Sequence, residues 1–199
     1  LILYTLLGKM PERRRKEKTK QLPLPEVWES QRIRSENNFM ALKRDYPNWS
    51  RLAAYLQKKD FLLYGNTDAV YLPSGEAFFE DLIARMEQAE KFIFLEYFIV
   101  AEGQVWDRIS HVLRERAAAG VEVKLVFDDF GNITRFKGET LAALRTAGVE
   151  VRVFNPVHRY VNRLYFNFRD HRKIAIIDGE WAYTGGINIA DEYANVIQR

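Results

Sequence analysis

Residues 91–100 read KFIFLEYFIV, residues 121–127 read VEVKLVF, and residues 149–154 read VEVRVF. Each of these apolar runs has the length of a strand and is rich in β-branched or aromatic side chains. The segments between them have helical spacing and end at Gly120 and Gly148, and glycine is the residue that most often terminates a helix. This alternation of strand and helix predicts a layered α/β domain with a largely parallel sheet.

The pattern extends on both sides of these three runs. A further helix is predicted over residues 73–89, after a short strand candidate at residues 69–72. Residues 155–170 are typical of an irregular loop. Two apolar runs then flank Asp178-Gly179, a pair that indicates a β-hairpin.

The first sixty residues have a different character. Residues 36–60 carry apolar side chains three or four apart, which predicts one or two amphipathic helices interrupted at Pro47. Residues 21–35 contain two prolines and are interpreted as a linker. We therefore expect residues 1–20 to be a separate segment, residues 21–60 to be a linker with helices, and residues 61–199 to be the main domain.

Composition excludes several classes of protein. The chain has 199 residues, a net charge of +3 and no cysteine, so a disulfide framework, a thiolate metal site and a cysteine nucleophile are excluded. Seven basic residues against two acidic ones lie within residues 9–20, and the other residues carry a net charge of −2. A nearly neutral body does not favour nucleic-acid binding. No apolar window is long enough for a complete membrane span.

The start of the chain nevertheless indicates a membrane. Residues 1–7 are almost entirely apolar, and the basic run follows directly after Gly8. Such a sequence is typical of the end of a transmembrane helix and its cytoplasmic anchor. The alternative is a frayed tail with a solvated run of charges.

The hairpin carries the candidate site. His171 and Lys173 are two residues apart and therefore share one face of a strand, while Asp178 follows seven residues after the histidine. A two-residue turn sets His171 opposite either Gly186 or Asn188, so the imidazole has open space for attack on a phosphate. By parity Asp178 faces away unless the strand bends, and it is then expected to fix the turn. The alternative is a charged rim on an ordinary sheet.

Other polar residues have competing interpretations. Glu96 is the one acid within its apolar run and either reaches solvent at the strand end or lies at the catalytic cleft. Asp128 and Asp129 end a strand at the edge where sites of α/β proteins gather, and they either belong to the site or cap a helix or turn, of which capping is expected. His111 and His158 are interpreted as ordinary surface residues.

These segments together resemble the phospholipase D superfamily, and within it the bacterial cardiolipin synthases. The central resemblance is the pattern His171-x-Lys173-x4-Asp178-x6-Gly185-Gly186-x-Asn188. The flanking sequences of residues 92–99, 120–128, 167–173 and 185–193 are also similar to that family, and the likeness covers roughly residues 60–195. Members carry two such motifs, one in each half, whereas this chain has one and stops soon after it.

The resemblance implies a phospholipase D-like fold in the N-terminal portion of a phosphatidyl transferase. It implies that His171, Lys173 and Asp178 are catalytic, with Asn188, Gly186 and Glu96 binding substrate. Two phosphatidylglycerol molecules would give cardiolipin through a phosphohistidine, without a metal or other cofactor. A missing C-terminal half, or a second copy of the chain, would complete the site at the cytoplasmic side of the membrane. The alternatives are a homodimeric phosphodiesterase or nuclease of the same superfamily, and a catalytically silent fragment.

Overall fold

The computed structural model describes residues 25–157 and 169–196. These residues form two compact units, which divide between Tyr71 and Leu72. The predicted membrane segment at residues 1–20 lies outside the described part of the chain. Over the residues that are described, no helix has both the length and the apolarity needed to cross a membrane.

The first unit is a helical hairpin. Helix α1 spans Pro25–Asp45, a short 3-10 turn follows at Pro47–Trp49, and helix α2 spans Ser50–Gln57. The predicted break at Pro47 is confirmed. The predicted linker at residues 21–35 is wrong from Pro25 onward, because proline is well accommodated at the first position of a helix and good helix formers follow it.

The second unit is the α/β domain, and its elements alternate as the sequence predicts. Its helices are α3 (Gly75–Glu87), α4 (Gln104–Ala118), α5 (Asp129–Asn132) and α6 (Gly138–Thr146). Its strands are β1 (Phe92–Tyr97), β2 (Glu122–Asp128), β3 (Glu150–Phe154), β4 (Lys173–Ile177) and β5 (Trp181–Thr184). The strand predicted at residues 69–72 is wrong, since Val70 and Tyr71 are exposed and pair with no strand of the described sheet.

Within the described residues the five strands form one mixed sheet in the order β3-β2-β1-β4-β5. The pairs β1–β2 and β2–β3 are parallel, whereas β1–β4 and β4–β5 are antiparallel. The first strand of the unit is therefore its central strand. The parallel half matches the strand–helix alternation, and the hairpin adds the antiparallel half.

One face of the sheet is buried under helices. Side chains alternate along β1, so that Ile93, Leu95 and Tyr97 are buried while their neighbours are half-buried. Helices α3 and α4 cover the buried face with apolar side chains such as Leu82 and Ile109. This packing anchors β1 in the core and thereby sets where the residues after Tyr97 begin.

The hairpin turn is longer than predicted. Ile177 pairs with Trp181, which leaves a loop of three residues rather than two. Asp178 and Gly179 both have positive φ, 55° and 74°, and the N–H of Glu180 donates to the carbonyl of Ile177. The register therefore lies between the two alternatives derived from two-residue turns.

Candidate active site

His171 and Lys173 lie at the entrance to β4. Lys173 is the first residue of the strand, opposite Tyr97, and His171 is exposed two residues earlier. The rings of His171 and Phe98 are 4.7 Å apart, and the Lys173 ammonium is 5.4 Å from the Phe98 ring. The same ammonium donates to the His171 carbonyl oxygen at 2.7 Å. Phe98 is thus a common platform for both predicted catalytic residues.

Lys173 is an unusual lysine because only 7% of it is exposed. Burial lowers the pKa of its ammonium, while the charge of Asp170 acts in the opposite direction. A buried cation of this kind is weakly hydrated. It can therefore turn toward a phosphate oxygen at a small cost in desolvation.

The segment leading into His171 is held by Asp128, which is fully buried at the end of β2. Its carboxylate accepts from the backbone N–H of Asp170 at 2.8 Å and from Arg169 at 3.2 Å. The same carboxylate accepts from the N–H of Phe130 at 2.8 Å and so caps α5, as predicted. Asp129 accepts from the N–H of Val157 and holds the loop that follows β3.

A carboxyl pair with one arginine lies beside the histidine. Arg172 donates to Asp170 through its backbone N–H and its guanidinium, and it contacts Glu96 at 2.6 Å. Burial and the hydrogen bond and charge of Asp170 raise the pKa of Glu96 to about 7, which Arg172 opposes. Burial would raise the pKa of Asp170, but its bonds from Arg172 and Glu96 lower it to about 2. Of the two hydrogen-bonded carboxyls, Asp170 therefore has the lowered pKa and Glu96 the raised one, so Glu96 takes up a proton first as pH falls.

Two buried amides clamp the backbone that carries the Phe98 platform. Asn132 accepts from the N–H of Val100 at 2.7 Å and donates to the carbonyl of Phe98 at 2.8 Å. Asn188 accepts from the N–H of Ile99 at 3.0 Å and donates to the Tyr193 hydroxyl at 2.9 Å. The predicted substrate ligand Asn188 therefore has a structural contact of its own, and its amide nitrogen carries a second hydrogen.

Asp178 and Gly186 lie away from these contacts. Asp178 is at the opposite end of β4 from His171, and its carboxylate accepts from the N–H groups of residues 90, 91 and 92 at 2.8 Å each. Burial would raise the pKa of Asp178, but these three bonds lower it. Its place in the structure is that of a turn-fixing residue. Gly186 lies beyond the end of β5, exposed and with open space around it.

The remaining histidines do not join the site in the described structure. His111 contacts Glu115 at 3.3 Å on an exposed face of α4, and His158 lies outside the described residues. No pattern in the sequence singles out Phe98, Asn132 or Asp170. Asn132 donates to the carbonyl of Asp128 at 2.6 Å, a contact that its spacing of four residues could have signalled. Its other two partners, on Val100 and Phe98, are more than thirty positions away.

Comparison with known proteins identifies the class of the domain. Residues 82–196 match the family described as "Cardiolipin synthase, PLD-like domain". The match covers more than half of the chain and includes every strand and every candidate site residue named above. The chain belongs to this family.

The chain is also similar to individual proteins. A cardiolipin synthase of Oceanobacillus iheyensis is 32% identical over 200 residues, which is 98% of this chain and 41% of the relative. An uncharacterized protein of Streptococcus mutans is 41% identical over 159 residues, or 79% of this chain and 34% of the relative. The chain thus spans about a third to two fifths of the length of these two relatives. Among solved structures, the phospholipase D family member Nuc of Salmonella typhimurium aligns with 22% identity and a TM-score of 0.45, covering 61% of this chain and 70% of its own.

Proposed function

We propose that this chain is the N-terminal part of a phosphatidyl transferase that makes cardiolipin and glycerol from two phosphatidylglycerol molecules. Membership of the cardiolipin synthase family supports the substrate class. The observation that carries the proposal is the pairing of an exposed His171 with a buried Lys173 against one aromatic ring, Phe98. This arrangement provides a nucleophile with free access and a cation beside it.

In the proposed reaction, an imidazole nitrogen of His171 attacks the phosphorus of the first phosphatidylglycerol. The bond between phosphorus and the headgroup glycerol oxygen breaks, and a phosphohistidine forms, so that one difficult displacement becomes two easier ones. The leaving glycerol oxygen takes a proton from a histidine of the second motif, outside this chain. The same group then takes a proton from the hydroxyl of the second phosphatidylglycerol, which attacks phosphorus and releases His171.

Lys173 has the role of holding the non-bridging phosphate oxygens. A unit charge about 4 Å from an anion is worth about 4 kcal/mol at an effective dielectric near 20. This attraction increases as negative charge builds up on the phosphoryl oxygens, and so it favours the transition state over the bound substrate. The hydrogen bond from Lys173 to the His171 carbonyl keeps the ammonium next to the nucleophile before substrate arrives.

The chain is organised in three segments. Residues 1–20 are the end of a membrane helix with its basic cytoplasmic anchor, residues 21–60 connect it to the catalytic unit, and residues 61–199 are the first phospholipase D-like domain. The second motif comes from a C-terminal half or from a second copy of the chain. The catalytic domain acts at the cytoplasmic face of the cell membrane.

The test is His171→Ala in the full-length parent protein, with His111→Ala as the matched control on an exposed helix face. Thin-layer chromatography follows conversion of phosphatidylglycerol, and a thermal melt monitors the fold. His171→Ala should abolish transfer and leave the melt unchanged, because an exposed side chain contributes little packing. His111→Ala should retain wild-type turnover. Turnover near wild type in His171→Ala refutes the assignment of the nucleophile.

A further inference from the structure

Helix α2 is oriented with its large apolar side chains outward. Trp49, Leu52 and Leu56 are spaced along one side of the 3-10 turn and the helix, and they are 61%, 51% and 39% exposed. Tyr55 is 58% exposed beside them, whereas the small Ala53 is the buried residue of the helix. An amphipathic helix usually buries its large apolar side and exposes the other. In α2 the side with the large apolar residues is exposed, and the side with the small Ala53 is buried.

Hydrogen bonds fix this orientation within the helical hairpin. Gln57, at the end of α2, donates to the side chain of Ser35 on α1 at 3.3 Å. The same Ser35 hydroxyl, which is buried, accepts from the N–H of Leu63 at 2.8 Å. The side of α2 that faces α1 is therefore set by polar contacts, and the apolar side is held outward.

Basic residues are frequent in the sequence around the exposed apolar side. Residues 43–59 contain five basic residues and one acidic residue, Asp45, which pairs with the neighbouring Arg44 at 2.7 Å. The Lys59 ammonium lies 6.0 Å from the ring of Tyr55. A ligand for this surface must therefore accept apolar and aromatic side chains and also neutralise a cluster of positive charge.

We propose that the outer face of α2, formed by Trp49, Leu52, Tyr55 and Leu56, docks on an anionic lipid surface. Trp and Tyr favour the boundary between lipid and water, and Lys and Arg at that boundary pair with anionic headgroups. Lysine is by contrast depleted where proteins bind one another. The turn and helix together span residues 47–57, a length that lies in the plane of a bilayer surface and does not cross it.

The docking surface goes beyond the transfer chemistry and is tested without it. Partitioning of the 199-residue chain onto vesicles is measured by co-sedimentation, with phosphatidylcholine alone or mixed equally with phosphatidylglycerol. Trp49→Ser with Leu52→Ser should lower partitioning onto the mixed vesicles about tenfold or more, because two apolar side chains no longer leave water. Val70→Ser with Tyr71→Ser is the matched control, since it removes two side chains that are also exposed but lie outside the helix. This control should bind as the wild type does.

The basic run at residues 9–20 also attracts anionic lipid, so a second measurement isolates the contact of α2. Brominated lipids quench tryptophan only when the indole enters the bilayer. Trp49→Phe should bind vesicles and be quenched less than the wild type, since the other three tryptophans are the same in both proteins. The comparison is repeated at high salt, which screens the basic run. Circular dichroism is used to check that each variant is folded. Equal partitioning by the Trp49/Leu52 variant, or quenching in Trp49→Phe that equals that of the wild type, overturns the proposal. A change in oligomeric state with unchanged vesicle binding overturns it as well, and identifies a protein interface instead.

Discussion

Replacing Glu96 by glutamine should change how the stability of the domain depends on pH. Glu96 shares a proton with Asp170 beside Arg172, and burial together with Asp170 raises the pKa of Glu96 from 4.5 to about 7. Glutamine has nearly the same shape as the protonated acid. Its amide can donate to Asp170 and accept from Arg172, but it does not titrate.

The direction in which stability changes with pH follows from the raised pKa of Glu96. The folded state holds the Glu96 proton more tightly than the unfolded chain, so this contribution to stability is fully present below pH 4.5 and is lost as pH rises through about 7. A shift of this size corresponds to at most about 3 kcal/mol, since each pH unit is worth about 1.4 kcal/mol. The Glu96 side chain is 27% exposed and contacts Arg172, so solvent screening reduces the expected loss to about 1–2 kcal/mol. Asp170 has the opposite sign, and its contribution is lost as pH falls below about 4 toward 2.

Urea unfolding followed by tryptophan fluorescence at pH 4.5, 6 and 7.5 measures the effect. Between the lowest and highest pH, the wild type should lose about 1–2 kcal/mol of unfolding free energy relative to Glu96→Gln. Glu180→Gln, at an exposed position in the hairpin loop, is the control. Its unfolding free energy should change with pH as that of the wild type does. A constant difference between wild type and Glu96→Gln refutes the shared proton. If the unfolding free energy of the wild type instead increases relative to that of the variant as pH rises, Glu96 is an ordinary ion-pair partner of Arg172.

Three further predictions concern the turn, the platform and the isolated chain. Asp178→Ala should lower the unfolding free energy by about 2–4 kcal/mol in urea, because three backbone N–H groups lose their acceptor and a residue with positive φ loses a suitable side chain; an effect below 1 kcal/mol contradicts the turn-fixing role. Asn132→Ala should cost about 3–5 kcal/mol, since it leaves the buried N–H of Val100 without an acceptor, whereas the exposed Asn48→Ala should stay within about 0.5 kcal/mol of wild type. Equal stability of those two variants would show that Asn132 does not clamp the backbone around Phe98. The 199 residues alone should make cardiolipin at a negligible rate, because they contain no second motif histidine to protonate the leaving group, a step that contributes about 10²–10⁴-fold to the rate. Full turnover by a monomer of this chain rules out the two-motif reaction.

The sequence predicts the parallel half of the fold well because local patterns define it. Strands β1, β2 and β3 are short apolar runs, and the helices between them end at glycines with positive φ. The false strand at residues 69–72 has the right side chains but no partner, and strand formation depends on pairing. The start of α1 at Pro25 was missed because proline is ambiguous at a helix start.

The positions of the candidate motif residues could be predicted from the sequence, but the residues that contact them could not. The positions of His171 and Lys173 follow from their spacing, and the placement of Asp178 follows from strand parity. The hairpin register did not follow, because Asp178 and Gly179 both adopt positive φ and Glu180 joins them in a three-residue loop. Phe98 and Asn132 were missed because their contacts join residues that are far apart in sequence, and no local pattern records such a contact.

The central position of β1 has a consequence for how the domain is made. β1 emerges from the ribosome first, and its partner β2 follows about thirty residues later, but β4 arrives nearly fifty residues after that. Until then one edge of the central strand has unpaired backbone groups, a state that invites association with other chains. The bonds of Asp178 to residues 90–92 form only once β4 has paired with β1. The same pairing brings His171 to Phe98, so in a nascent chain the proposed nucleophile meets its aromatic neighbour only after β4 has docked.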